Sequence, residues 1–200
     1  MNPSTKTLPK EYVQSGEINL KKNKRLALEL NIAGVFVFIF SFLILLRLVT
    51  LARPSLLLTS FSITVGTVVV PIVLMVLLMT IHESIHGFFI WVFTRSRPVF
   101  AIRLFYGYAG APAWYISIRQ YIFNALGPLI IIDAVGVLLM LLVPENWVLA
   151  PVIVVAMNTG GSIGDLLVLK RLCKLSPTSL VNDTGDAVTF YEQLPSIRHS

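Results

Sequence analysis

The sequence predicts an all-α integral membrane protein with four transmembrane helices, and three observations predict it. Charged residues make up 13% of the 200 residues, about half the share of an ordinary soluble domain. Those charges are clustered and separate long uncharged runs, each long enough for the roughly 20 apolar residues a bilayer requires. The basic residues flank these runs, where lysine and arginine mark the cytoplasmic side of a membrane protein. The net charge of +6 therefore speaks for a lipid bilayer as partner and against nucleic acid.

The elements follow in order. Residues 1–26 form a polar, basic arm carrying Lys6, Lys10, Lys21, Lys22, Lys24 and Arg25, and its Pro, Ser, Thr and Gly content predicts little fixed structure. The membrane domain spans 27–172. Its first helix is expected over Ala27–Val49, retained rather than cleaved, because Arg47–Arg53 follows it and no small-residue cleavage site does. Ser55–Ser60 reads as interfacial. A second helix is expected over Val65–Phe93, kinked at Pro71. The third is expected over Tyr121–Val143 and the fourth over Trp147–Leu172. A polar tail, 173–200, contains one weak strand signal at Ala187–Tyr191. His199 in that tail reads as an exposed residue. The single cysteine, Cys173, excludes an intrachain disulfide.

Orientation follows from the basic residues. Six lie in the arm. Four lie between helices 2 and 3 (Arg95, Arg97, Arg103, Arg119), and four at the end (Lys170, Arg171, Lys174, Arg198). Only Arg47 and Arg53 fall on the other side. This asymmetry places both termini and the central loop in the cytoplasm. That loop, Arg97–Arg119, is rich in Phe and Tyr around Gly107, Gly110 and Pro112. It reads as a re-entrant segment with a strand for substrate pairing, or as an aromatic interfacial belt.

The chemistry concentrates in the second helix, at His82-Glu83-Ser84-Ile85-His86. Histidines four residues apart share one helix face and can bind one zinc ion, with Glu83 beside it as general base. A carboxylate in the apolar part of a membrane helix costs at least ~2.5 kcal/mol, so three ionisable side chains within about a turn and a half are hard to explain as packing; the plainer alternative to a metal site is a polar helix–helix contact or a proton relay. A catalytic zinc takes three protein ligands and leaves one position open. Two aspartates lie well inside the spans. Asp165 is the preferred third ligand: its depth, judged from the basic cluster Lys170-Arg171, lies within ~6 Å of that of His86 at about 1.5 Å per residue. Its segment, Asn158–Asp165, is rich in glycine and suited to an unwound turn lining a cavity, or to close helix packing. Asp133 remains the alternative ligand. Asn124 and Asn158 are candidates to stabilise an oxyanion or to hold other side chains.

The embedded histidine–glutamate–histidine helix, followed by an aspartate in a glycine-rich membrane helix, resembles the intramembrane site-2 protease class. More closely, it resembles a small bacterial family described as "putative zincin peptidase", long without an assigned function. The resemblance covers Val65–Leu172 and includes Ala125-Leu126-Gly127-Pro128 and Asn158–Asp165. It implies a zinc metallopeptidase of the bacterial cell membrane, acting on a peptide or membrane-protein substrate near the cytoplasmic face. In it His82, His86 and Asp165 bind the metal and Glu83 is the base. Gly161 and Leu166 stand where the site-2 pattern has proline and glycine. Two other readings use the same residues: a non-enzymatic carrier of metal or protons through His82, Glu83 and His86, and an inactive structural or adaptor homologue.

Overall fold

The computed structural model describes residues 4–53, 65–103 and 106–194, with the side chains of 65–71 and Asn146 outside the description. Ser55–Ser60 and His199 lie outside the described residues, as does the side chain of Pro71, whose backbone continues the second helix. In chain order the elements are β1 (Tyr12–Asn19), α1 (Lys24–Ala52), α2 (Val65–Thr94), β2 (Val99–Ile102), β3 (Gly107–Gly110) and β4 (Tyr115–Ser117). They continue with α3 (Ile118–Leu142), a 3-10 turn (Glu145–Trp147), α4 (Leu149–Gly161), α5 (Ile163–Leu172), β5 (Leu180–Asp183) and β6 (Ala187–Gln193).

Among the described residues, α1, Ile72–Thr94 of α2, and α3 are long and apolar enough to cross a membrane. The pair α4–α5, bent by 45°, makes a fourth span if counted as one. Large apolar side chains such as Phe36 and Phe40 on α1 and Leu138 and Leu141 on α3 point outward and are exposed. A solvated surface would not carry so much contiguous apolar area.

The expectation of an all-α protein is corrected by six strands among the described residues. The long apolar runs dominate composition, and strands of three to eight residues leave no comparable signal beside them. The Arg97–Arg119 loop holds the antiparallel hairpin β2–β3, followed by β4.

The chain divides into two compact units. The first comprises residues 1–28, 83–127 and 164–200. Its four-stranded sheet has the order β1-β6-β5-β4, every neighbouring pair antiparallel. The arm is therefore not without fixed structure. Tyr12 pairs with Gln193 and Asn19 with Ala187, so the backbone groups of one terminal segment satisfy those of the other. Ahead of β1, Thr5 bridges Tyr115 and Lys6 Nζ lies over the Trp114 ring at 5.3 Å. Ile90, Ile116, Tyr121, Leu172, Val181 and Phe190 pack in the core of this unit. Asn23 begins α1, its Oδ1 accepting from the Leu26 N–H at 3.0 Å. This satisfies one of the donors that a helix start leaves unpaired.

The second unit comprises residues 29–82 and 128–163. Val49, Met140, Val148, Val152 and Val155 form its core. Arg53 donates to the carbonyls of Leu141 (2.6 Å) and Val143 (2.7 Å), closing the C-terminus of α3. Close packing by a small residue is realised at Gly160: a Cβ there would sit 2.6 Å from the Gly34 carbonyl oxygen. Gly161 has nothing within 4 Å of its Cβ position. The glycine-rich stretch thus packs through one glycine and breaks just after it. The helix stops at Gly161, Ser162 Oγ turns back to the Asn158 carbonyl at 2.9 Å, and a new helix starts at Ile163.

Candidate metal centre

His82 and His86 stand one turn apart on α2. Each ring is tied at Nδ1. His86 Nδ1 lies 2.9 Å from the Asn124 backbone oxygen. A carbonyl only accepts, so Nδ1 carries a hydrogen and Nε2 is the nitrogen left to face the carboxylate. That Nε2 lies 3.4 Å from Asp165 Oδ1, in the first turn of α5. His86 is buried and Asp165 half-buried.

His82 is set by a longer chain of bonds. Its Nδ1 lies 3.0 Å from Asn158 Oδ1. Asn158 Nδ2 donates to Asp133 Oδ1 at 2.8 Å, and Thr159 Oγ1 lies 2.9 Å from Asp133 Oδ2. The carboxylate decides the orientation of the amide. It takes the NH2 group, so Asn158 must present its oxygen to His82, and His82 therefore carries its hydrogen on Nδ1 as well. Both imidazoles thus have Nε2 available to a metal. Each carries its other nitrogen on an acceptor, the arrangement that orients metal-binding histidines elsewhere.

Ligand atoms of His82, His86 and Asp165 lie within 4.8 Å of one another. Of the two aspartates that sequence left open, Asp165 joins the histidines, whereas Asp133 is engaged with Asn158 and Thr159. Two imidazole nitrogens and one carboxylate oxygen form a donor set that suits Zn²⁺ and leaves a position open. The residues present therefore fit the ion on their own chemistry. Glu83, half-buried, lies close enough for its charge to act on His86 and Tyr121. Asn124 is buried, and its Oδ1 has no hydrogen-bond partner among the described residues.

Sequence reasoning missed Tyr121 and Asp183. The hydroxyl of Tyr121, at the start of α3, donates to Asp183 Oδ2, and the Gly185 N–H donates to Asp183 Oδ1 at 2.7 Å. Burial pushes the Asp183 carboxyl above the usual carboxylate range, against the pull of those two hydrogen bonds and of His86. The signal that could have found it is the turn Asp183-Thr184-Gly185-Asp186 between the apolar segments Leu180-Val181 and Ala187–Tyr191. It reads as a hairpin turn with glycine at its positive-φ position, and Gly185 has φ +84°. The next aspartate, Asp186, has a different role. Arg103 grips it through Nε at 3.1 Å and Nη2 at 2.9 Å, with Tyr106 Oη at 3.0 Å. The guanidinium holds its carboxyl below the usual range.

A His-Glu-x-x-His turn whose histidines meet a distant carboxylate defines the zincin class of metal sites. The chain belongs to the family described as "putative zincin peptidase", which it matches over residues 74–180. That match runs from α2 through the first residue of β5, so it contains His82, Glu83, His86 and Asp165 but not Asp183 or β6. No curated protein and no solved structure matches the chain.

Proposed function

We propose that this protein is a membrane-embedded zinc metallopeptidase that hydrolyses peptide bonds near the cytoplasmic face. The observation that carries the reading is the convergence of His82, His86 and Asp165 beside Glu83, with both imidazoles oriented by acceptors at Nδ1. His82, His86 and Asp165 would hold the ion, while Asn158 and the Asn124 carbonyl keep the rings aimed at it. Bound zinc supplies Lewis acidity toward a peptide carbonyl and a water molecule.

Glu83 is the general base. Its carboxylate takes a proton as the water oxygen bonds to the carbonyl carbon, then delivers it to the amine nitrogen as the C–N bond breaks. The side-chain amide of Asn158 is committed to His82 and Asp133, so the part of substrate contact falls to Asn124, whose buried Oδ1 has no partner among the described residues. The exposed β2, with Val99, Phe100 and Ile102 outward, offers an edge on which an unwound substrate segment can pair. The basic asymmetry supports termini and hairpin on the cytoplasmic side.

The test is metal content and cleavage together, on the full chain purified in detergent. Wild type should carry one zinc per chain. Glu83→Gln should keep that zinc and lose cleavage of a membrane-segment reporter peptide by about 10²–10⁴-fold. A wild-type protein that takes up no zinc after loading sinks the reading.

A further inference from the structure

A second site lies apart from the metal centre, where β1 faces α5. Leu167, Lys170, Arg171 and Lys174 follow the spacing i, i+3, i+4, i+7, which places them along one face of α5 and the turn after it. With β1 and Phe190 of β6 they line an open cleft of about 330 Å³. The stripe changes character along its length. It is apolar at Leu167, with Ile18 also in the lining, and basic at Lys170, Arg171 and Lys174, toward the end of the bent span α4–α5.

Arg171 is held in place rather than merely present. Its guanidinium lies over the Phe190 ring at 5.9 Å, and Nη2 donates to the Ser15 carbonyl at 3.2 Å. Gly16 permits this approach, since a Cβ there would sit 3.2 Å from Nη2. Arg171 lines the cleft together with two exposed lysines, Lys170 and Lys174. Lys170 and Lys174 have no carboxylate partner among the described residues. The one acid in the lining, Glu17, accepts from Asn19 Nδ2 at 2.8 Å, along its own strand.

We propose that this cleft binds the phosphate headgroup of an anionic phospholipid, with Lys170, Arg171 and Lys174 on the phosphate and Leu167 and Ile18 against the first part of the acyl chains. A guanidinium fixed by stacking presents planar donors to phosphate oxygens, and lysines add charge without demanding geometry. Basic pockets at the ends of membrane helices recognise anionic headgroups in this way. The apolar wall running into the span distinguishes an amphiphile from a free phosphate, which would gain nothing from Leu167. The inference rests on reading α4–α5 as a membrane span, and it does not depend on the metal centre.

The experiment uses the full-length protein, delipidated in detergent, with dioleoylphosphatidylglycerol, dioleoylphosphatidylcholine and inorganic phosphate as probes. Native mass spectrometry should show retention of phosphatidylglycerol in preference to phosphatidylcholine. Each basic residue near an anionic headgroup is worth roughly a fivefold change in affinity, so Lys170→Gln/Lys174→Gln should weaken retention by about 20- to 30-fold. Both lysines are exposed, and the double variant should melt with the wild type. Millimolar inorganic phosphate should leave the lipid bound. Equal retention of the two lipids, or retention unchanged in the double variant, overturns the proposal. Displacement by phosphate would reassign the site to a free anion and overturns it too. Alkaline carbonate extraction separates the two levels. Protein that stays in the membrane pellet but shows no lipid preference defeats the lipid site alone, whereas protein released into the supernatant defeats the membrane reading and the lipid site with it.

Discussion

At the residue scale, the centre depends on what lies behind its ligands. Asp133 binds Asn158, and Asn158 binds His82, so a carboxylate outside the proposed ligand set still sets the tautomer of one proposed ligand. Removing such a partner commonly costs 10–100-fold in metal affinity. Asn158→Ala and Asp133→Ala should therefore each weaken zinc binding by about that factor in competition with a chelating dye, while Asp165→Ala should lose stoichiometric zinc. The reverse ranking, with Asp133 the more damaging, would exchange their roles. Asp183 makes a different prediction. Its folded carboxyl titrates above the ordinary value of 3.8 because it is buried among Tyr121, His86 and Asp165. The fold therefore prefers the protonated form. The stability this contributes is complete below the ordinary carboxylate pKa and is lost as pH rises through the folded value. The melting temperature of the wild type relative to Asp183→Asn should thus climb as pH is lowered from neutrality. A difference that stays flat, or that grows as pH rises, contradicts the assignment.

At the element scale, the break between α4 and α5 brings Asp165 to the histidines, and its two neighbouring glycines have opposite roles. Gly160 meets the Gly34 carbonyl oxygen, whereas Gly161 meets nothing. Gly160→Ala should destabilise the protein by about 1–3 kcal/mol, as overpacking does when backbone must yield. Gly161→Ala should be neutral or should stabilise by up to about 1 kcal/mol, since alanine is the better helix former. Thermal melts in detergent measure both, and equal losses would mean that the glycines share one role. This contrast also shows what was legible beforehand. His82, Glu83 and His86 could be read because an i, i+4 relation is fixed within one helix turn. The glycine content announced an irregular segment near Asp165. The choice between Asp165 and Asp133 was closed to depth arguments, because both sit at reachable levels of their spans. The bend at Ser162 and the engagement of Asp133 with Asn158 and Thr159 support Asp165 as the proposed ligand. Of the first and last strands, Ala187–Tyr191 left a local signal and falls in β6, whereas its partner β1 left none for a related reason. β1 and β6 pair residue 12 with residue 193, and a contact so distant in the chain leaves no local period in sequence.

At the scale of the whole molecule, the basic residues divide unequally about the spans, and the strands formed by the two terminal segments belong to the same sheet. A sheet must form on one side of a bilayer, because open strand edges do not occur in the hydrocarbon region. β1 precedes α1, β2–β4 lie between α2 and α3, and β5–β6 follow α5. An even number of crossings separates these three segments if α4–α5 is one span: two between β1 and β4, and two between β4 and β5. The pairing of β1 with β6 and of β4 with β5 agrees with the parity that the charge asymmetry predicts, if these helices are the spans. If α4–α5 were instead a re-entrant hairpin that returns to its own side, β5 would lie across the membrane from β4 and their ladder could not form. Cys173, exposed and just past α5, reports on this arrangement. In intact cells a membrane-impermeant maleimide should leave it unlabelled, and permeabilising the membrane that holds the protein should expose it. Labelling in intact cells would place the sheet outside and reverse the direction of the whole chain.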